Sequence, residues 1–180
     1  MSRIDLVTIE NASAAAQPVL AHIHAAFGAT PNMFRAVANS PAALASRWGA
    51  FGALGGGTLG AKLGEQIAVA IADQNDCHYC LAAHTALGRK AGASSEEMAA
   101  AQAGQSHDPK TAAALHFAVT VVRQRAKITA ADVDALRAAG FDDGEVMEIM
   151  AHVALNLFTN YVNVAFDVPL DFPHIKLRAK

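Results

Sequence analysis

Cysteine is almost absent from this chain: its 180 residues include two, Cys77 and Cys80. So few cannot build the disulfide framework of a small secreted domain. A close pair in such a chain points to catalysis or metal binding instead. Charge is also scarce, with 17% Asp, Glu, Lys and Arg and a net charge of −2. No basic footprint exists, which excludes nucleic acid as a partner. Long apolar runs are missing too. Segments 117–122 and 153–157 are the best candidates, far short of the roughly 20 residues that span a bilayer. No membrane segment is expected. Ser2-Arg3-Ile4-Asp5 leads into mixed polar sequence without an apolar leader core, so the expected location is cytoplasmic.

What is abundant is small and apolar. Hydrophobic residues make up 53% of the chain and aromatics only 6%, and the mean hydropathy is +0.22. That is greasy for a monomer of this size, because a small protein has much surface to cover with polar groups. Burial against further copies of itself accounts for the excess, so a homo-oligomer is expected. The length suits one domain over residues 1–180 with a real hydrophobic core.

Strand-like alternation is sparse and helix punctuation is frequent, so the fold class is all-α, a compact multi-helix domain. Ser13 caps a helix to about Phe27, closed by Gly28; Pro31 opens a short one through Ala38, and Pro41 a third to about Leu54. Thr58 is the expected cap of the helix that carries Glu65. Ser94 with Glu97, and Asp142 with Glu145, have capping-box spacing. Asp108-Pro109 opens a helix to about Arg125, and Thr129 begins one closed by Gly140. The last helix runs to about Val164, and the tail from Asp167 to Pro173 is expected to be irregular. A faint echo relates Gly64-Glu65 through Asn75 to Gly144-Glu145 through Asn156, with the second copy serving as scaffold.

The chemistry concentrates between Glu65 and His84, inside a redox core of about residues 58–92. Cys77, Cys80 and His84 stand three and four residues apart, so a helix starting near Cys77 aligns them on one face. Asn75 or Asp76 can cap that helix and leave Cys77 in its first turn, where free N–H groups favour thiolate. His84 can accept the Cys80 proton. Glu65 joins them only if the chain breaks near Asn75-Asp76, because twelve residues of straight helix are about a third of a turn out of phase. There it would orient His84, as the acid does in nucleophile–base–acid arrangements.

Two inert buried thiols, or a zinc site of Cys77, Cys80, His84 and a fourth ligand, use the same residues. C-type haem attachment needs histidine directly after the second cysteine, where Leu81 stands. Gly55-x-Gly57-x-x-Gly60 matches a dinucleotide pattern but follows a helix rather than a strand, so it reads as an interhelical loop. No cofactor and no resident metal are expected. His78 points away from the thiol face, towards solvent or an interface. His152 reads as a core or interface residue that could assist proton transfer if it neared the thiols. His22, His24 and His116 read as structural, Trp48 and Phe51 as core, and Tyr161 with Asn163 as packing at a subunit interface.

The pattern Glu65-x11-Cys77-His78-Tyr79-Cys80-x3-His84 resembles the signature of AhpD-like alkylhydroperoxidases, within the carboxymuconolactone decarboxylase superfamily. The resemblance extends to residues 31–36 and 39–41, to 160–163, and to Leu170-Asp171-Phe172-Pro173, as in the peroxidase-related branch. It implies an all-α trimer or hexamer that reduces hydroperoxides. It implies Cys80 as attacking thiol, Cys77 as resolving thiol, His84 and Glu65 as proton relay, and Tyr79 as a supporting contact. Some members of the family draw electrons from a lipoyl-bearing protein; the thiol reductant here is not identified by the residues. The decarboxylase branch lacks the cysteine pair, which argues against that activity. The rival enzymatic reading is reduction of protein or small-molecule disulfides, and the non-enzymatic one a structural helical oligomer with a zinc or vestigial thiol site.

Overall fold

The computed structural model describes residues 2–179, and all regular structure among them is helical. The helices are α1 (Gln17–Phe27), α2 (Asn32–Val37), α3 (Pro41–Gly55), α4 (Gly60–Gln74), α5 (His78–Lys90), α6 (Ser95–Gln102), α7 (Pro109–Arg123), α8 (Ala130–Ala138) and α9 (Asp143–Ala165). After α9 the described residues have no regular structure, in keeping with Pro169 and Pro173. No helix among the described residues is long and apolar enough to cross a membrane.

α4 is the centre. Every residue from Gln66 to Asp73 is buried, so this helix presents apolar surface all round, the mark of a core helix. It packs against α5, α6, α7 and α9. The charged exception is Asp73, whose carboxylate accepts hydrogen bonds from Gln102 Nε2 at 2.8 Å and from Arg178 N and Nε at 3.1 and 3.0 Å. A buried charge is tolerated when it is paired in this way, and the pairing straps the C-terminal segment over the bundle.

Helix starts follow the expected caps at Ser94, Asp108, Thr129 and Asp142, and α3 opens at the expected Pro41, with Ser40 as its cap. Two expectations need correction. α1 begins at Gln17 rather than after Ser13: residues 14–16 form a turn on the Ser13 carbonyl, and Pro18 sets the first helical turn. Thr58 does not cap α4, whose N-cap is Leu59. A carboxylate from another helix takes that role. Glu148 of α9 accepts from Thr58 N at 2.8 Å, Leu59 N at 3.2 Å and Thr58 Oγ1 at 3.0 Å. The glycine-rich loop makes room for it, since a Cβ on Gly57 would lie 2.6 Å from Glu148 Oε2. The glycine pattern thus serves a helix-to-helix cap, with α3 before it and α4 after.

The backbone N–H of Thr58 is the leading reason why the Glu148 carboxyl titrates below its ordinary 4.5. A depressed carboxylate contributes stability above the unfolded value, and that contribution is lost as pH falls through the lower folded value. Glu148→Ala should therefore cost about 1 kcal/mol at pH 7, as loss of an N-cap does. The gap from the parent should close as the solution is acidified below 4.5, read by urea unfolding at a series of pH values.

Candidate active site

The turn between α4 and α5 creates the site. Asn75 ends α4, Asp76 adopts a left-handed φ of 54°, and Cys77 N donates back to Ala72 O at 3.0 Å. This is a Schellman-type stop, with aspartate where glycine is usual. The break predicted at Asn75-Asp76 is there, but neither residue caps α5. Cys77 itself is the N-cap: its Sγ accepts from Cys80 N at 3.2 Å. The capping sulfur sits at the positive end of the helix, so the electrostatics expected at Cys77 are kept, with Cys77 as the cap itself instead of a first-turn residue.

Cys77 and Cys80 are joined as a disulfide, with Cα atoms 5.4 Å apart, and are 1% and 2% exposed. The sulfurs differ in surroundings. Cys77 is enclosed by the turn, whereas Cys80 lines a narrow cavity of about 50 Å³. Its walls are almost wholly apolar: Phe27, Phe34 and Phe51, Met33, Phe172 and Leu155, with His84, Arg47, Asn156 and Asn163 among the polar members. Trp48 and Phe51, expected in the core, are half-buried. They stack at 5.9 Å within an aromatic group that includes Phe27 and Phe34. Arg47 lies over the Phe158 ring at 4.7 Å and donates to Leu155 O at 3.3 Å; its burial draws the guanidinium pKa down.

The fold of α5 back along α4 also brings Glu65 to His84, with Oε2 2.7 Å from Nδ1. Both side chains are 16% exposed. The carboxylate on Nδ1 places the imidazole hydrogen there and leaves Nε2 as the basic nitrogen. Glycines permit the close packing around this pair. A Cβ on Gly88 would stand 3.3 Å from Glu65 Cβ and 2.5 Å from Met98 Cε, and one on Gly64 would meet His152 Cε1 at 2.8 Å.

His152 therefore lies against α4 beside Glu65. It lines a second cavity of about 190 Å³ together with Glu65 and His84, while His84, Phe51, Leu155 and Asn156 border both cavities. His84 thus stands between the sulfur side and a second compartment. Burial is the main cause of a His152 pKa below 6.5, against the opposing pull of Glu65 and Glu148; this imidazole is neutral at pH 7.

Tyr79 is a buried strut. Its hydroxyl accepts from Met33 N at 3.2 Å and bonds the Asp171 carboxylate, and Phe172 meets its ring edge-on at 5.7 Å. Burial, followed by the Asp171 bond, pushes the phenol up out of the range of proton exchange. Asp171 also accepts from Asn32 N at 2.6 Å. The segments around Asn32 and Asp171, remote in sequence, therefore close the same wall.

Several expectations shift. His78 is exposed as foreseen and stacks on His174 of the tail at 5.8 Å. His22, His24 and His116 are exposed. Tyr161 is 61% exposed, but Asn163 faces inward, 5% exposed, with Nδ2 donating to Cys80 Sγ at 3.1 Å. Asn163 was misassigned to an interface because a helical position alone does not reveal which neighbour it meets. The spacing of Asn156, Asn160 and Asn163, four and three apart on one face of an apolar helix, was the available signal. The second half of the faint repeat is accordingly part of the site and not mere scaffold. Among the described residues no three His, Cys, Asp or Glu side chains are grouped to hold a metal ion.

The carboxymuconolactone decarboxylase family model matches residues 40–118, from the start of α3 into α7. No curated protein matches the chain in sequence. Among solved structures, a peroxidase-related protein from Silicibacter sp. TM1040 is 26% identical over 93% of this chain and 91% of its own, with a TM-score of 0.81. The alkylhydroperoxidase AhpD core of a peroxidase-related protein from Ralstonia eutropha JMP134 is 24% identical over 94% and 92%, with a TM-score of 0.84. The debrominase Bmp8 shares the fold at a TM-score of 0.75, with 22% identity over 88% and 87%. The helical bundle, the thiol pair and the Glu65–His84 contact thus stand in a chain that matches the carboxymuconolactone decarboxylase family model over residues 40–118 and is similar in fold to AhpD-like, peroxidase-related structures.

Proposed function

We propose that this protein is a thiol-dependent peroxidase that reduces small or alkyl hydroperoxides, in an antioxidant role, through Cys80 and Cys77 with a His84–Glu65 proton relay. The observation that carries the reading is the shared cavity: Cys80 and His84 line one narrow, largely apolar space, and Glu65 holds His84 from outside it. In the reduced protein His84 Nε2 takes the Cys80 proton. The thiolate attacks the terminal oxygen of R–O–O–H, an S–O bond forms, the O–O bond breaks, and RO⁻ leaves with the proton that His84 returns. Cys77 then attacks the sulfenic sulfur, an S–S bond forms, and the hydroxyl departs as water. A dithiol restores the pair by exchange and is itself oxidised.

Burial of the disulfide favours a slender substrate over a protein disulfide, and a dithiol on a long arm, such as a lipoyl-bearing protein, fits the narrow approach. A cytoplasmic setting suits a pair that must be reduced between turnovers. The single-domain reading over residues 1–180 keeps Asn32, Asp171 and the thiols in one unit. A homo-trimer or homo-hexamer accords with the apolar side chains that α9 leaves outward, Met147, Phe158, Tyr161 and Val164, exposed between 38% and 66%.

Cys80→Ser should abolish consumption of an organic hydroperoxide, and Cys77→Ser should let a sulfenic acid be trapped with dimedone and seen by mass spectrometry. The opposite pattern would reverse the two roles. Glu65→Gln should lower kcat/KM by roughly 10²-fold while leaving reversible disulfide formation intact, measured by coupled turnover and thiol titration. Light scattering should give a mass of three or six chains, and Tyr161→Asp should reduce it.

A further inference from the structure

One amide donor is committed to a catalytic sulfur. Asn163 Nδ2 donates to Cys80 Sγ at 3.1 Å, from a side chain that is 5% exposed. The sulfur of a neutral disulfide is a weak acceptor, whereas a thiolate is an anion and takes a stronger, charge-assisted bond. The contact is thus worth most in the reduced protein. It also opposes a bias, because the α5 N-terminus and the Cys80 N–H both favour charge on Cys77. Without a donor of its own, the cavity-lining sulfur would be the poorer thiolate.

The other end of the same amide is equally informative. Asn163 Oδ1 and Asn156 Oδ1 are buried and have no hydrogen-bond partner among the described residues. Both side chains line the cavity that holds Cys80, and Asn156 is 2% exposed. Buried acceptors left unpaired are costly, and two of them beside a nucleophile suit a ligand that brings an O–H donor. A hydroperoxide has one.

We propose that Asn163 is a further catalytic residue: its N–H stabilises the Cys80 thiolate, and its Oδ1 with that of Asn156 receives the O–H of the hydroperoxide. This selects Cys80 over Cys77 as the attacking sulfur. The substrate half rests on the peroxidase reading above; the thiolate half does not.

The test starts from Cys77→Ser, which keeps a good N-cap and leaves Cys80 as the one thiol. After reduction, the rate of alkylation by iodoacetamide against pH reports the Cys80 midpoint. Adding Asn163→Leu should raise that midpoint by about one to two pH units, and Asn163→Ser, which keeps a donor, should raise it less. A folded Asn163→Leu protein with an unmoved midpoint would overturn the thiolate assignment. Should that variant not fold, the side-chain amide proton resonances of Asn163 in Cys77→Ser alone decide: they should move with Cys80 ionisation, and their constancy would sink the idea. In the otherwise intact protein, Asn156→Leu should reduce kcat/KM for an organic hydroperoxide about tenfold without moving the midpoint; unchanged kinetics would overturn the substrate half. A parent protein that consumes no hydroperoxide, yet whose midpoint depends on Asn163, would refute the peroxidase reading and leave the thiolate assignment standing.

Discussion

The reversal of direction between α4 and α5 is the constraint on which the rest depends. Asp76 in the left-handed region ends one helix, and Cys77, three residues after Gln74, begins the next. A single straight helix would carry Glu65 away from the thiol face. The turn instead folds α5 back along α4, so that a residue nineteen positions from His84 lies at hydrogen-bond distance from it. The same turn makes the sulfur of Cys77 a capping group, tying the cysteine pair to the integrity of the helix start.

Close packing then does what the turn alone cannot. Gly88 lets Glu65 sit against α5, and Gly64 lets His152 of α9 lie flat against α4. These contacts hold His84 between two cavities, one with the sulfur and one with a second, neutral imidazole. The His84 imidazole thus borders the sulfur on one side and, on the other, a largely apolar compartment that it shares with Glu65 and His152. The apolar lining of the sulfur side keeps bulk water out, which strengthens the electrostatic contacts inside.

The wall of the cavity is assembled from distant parts. Met33 and Phe34 come from α2, Phe51 from α3, Asn156 and Asn163 from α9, and Phe172 from the tail. Tyr79 joins the first and last of these through Met33 N and Asp171, and Asp73 anchors the tail further on through Arg178. A segment without regular structure is thereby part of the site. Its order comes from polar anchors on buried groups, not from its own backbone pairing.

Much of this was legible in the residues alone. Caps at Ser94, Asp108, Thr129 and Asp142, and Pro41 at the start of α3, are local chemistry, so the helices and most of their boundaries could be read directly. Helical phase likewise grouped Cys77, Cys80 and His84 and required a break before Glu65 could join them. What could not be read were the partners across helices. Glu148 as the cap of α4, His152 against Gly64, and Asn163 on the Cys80 sulfur each join residues between 83 and 90 positions apart. Sequence spacing reports which residues share a face; only the packing of one helix on another decides what that face meets.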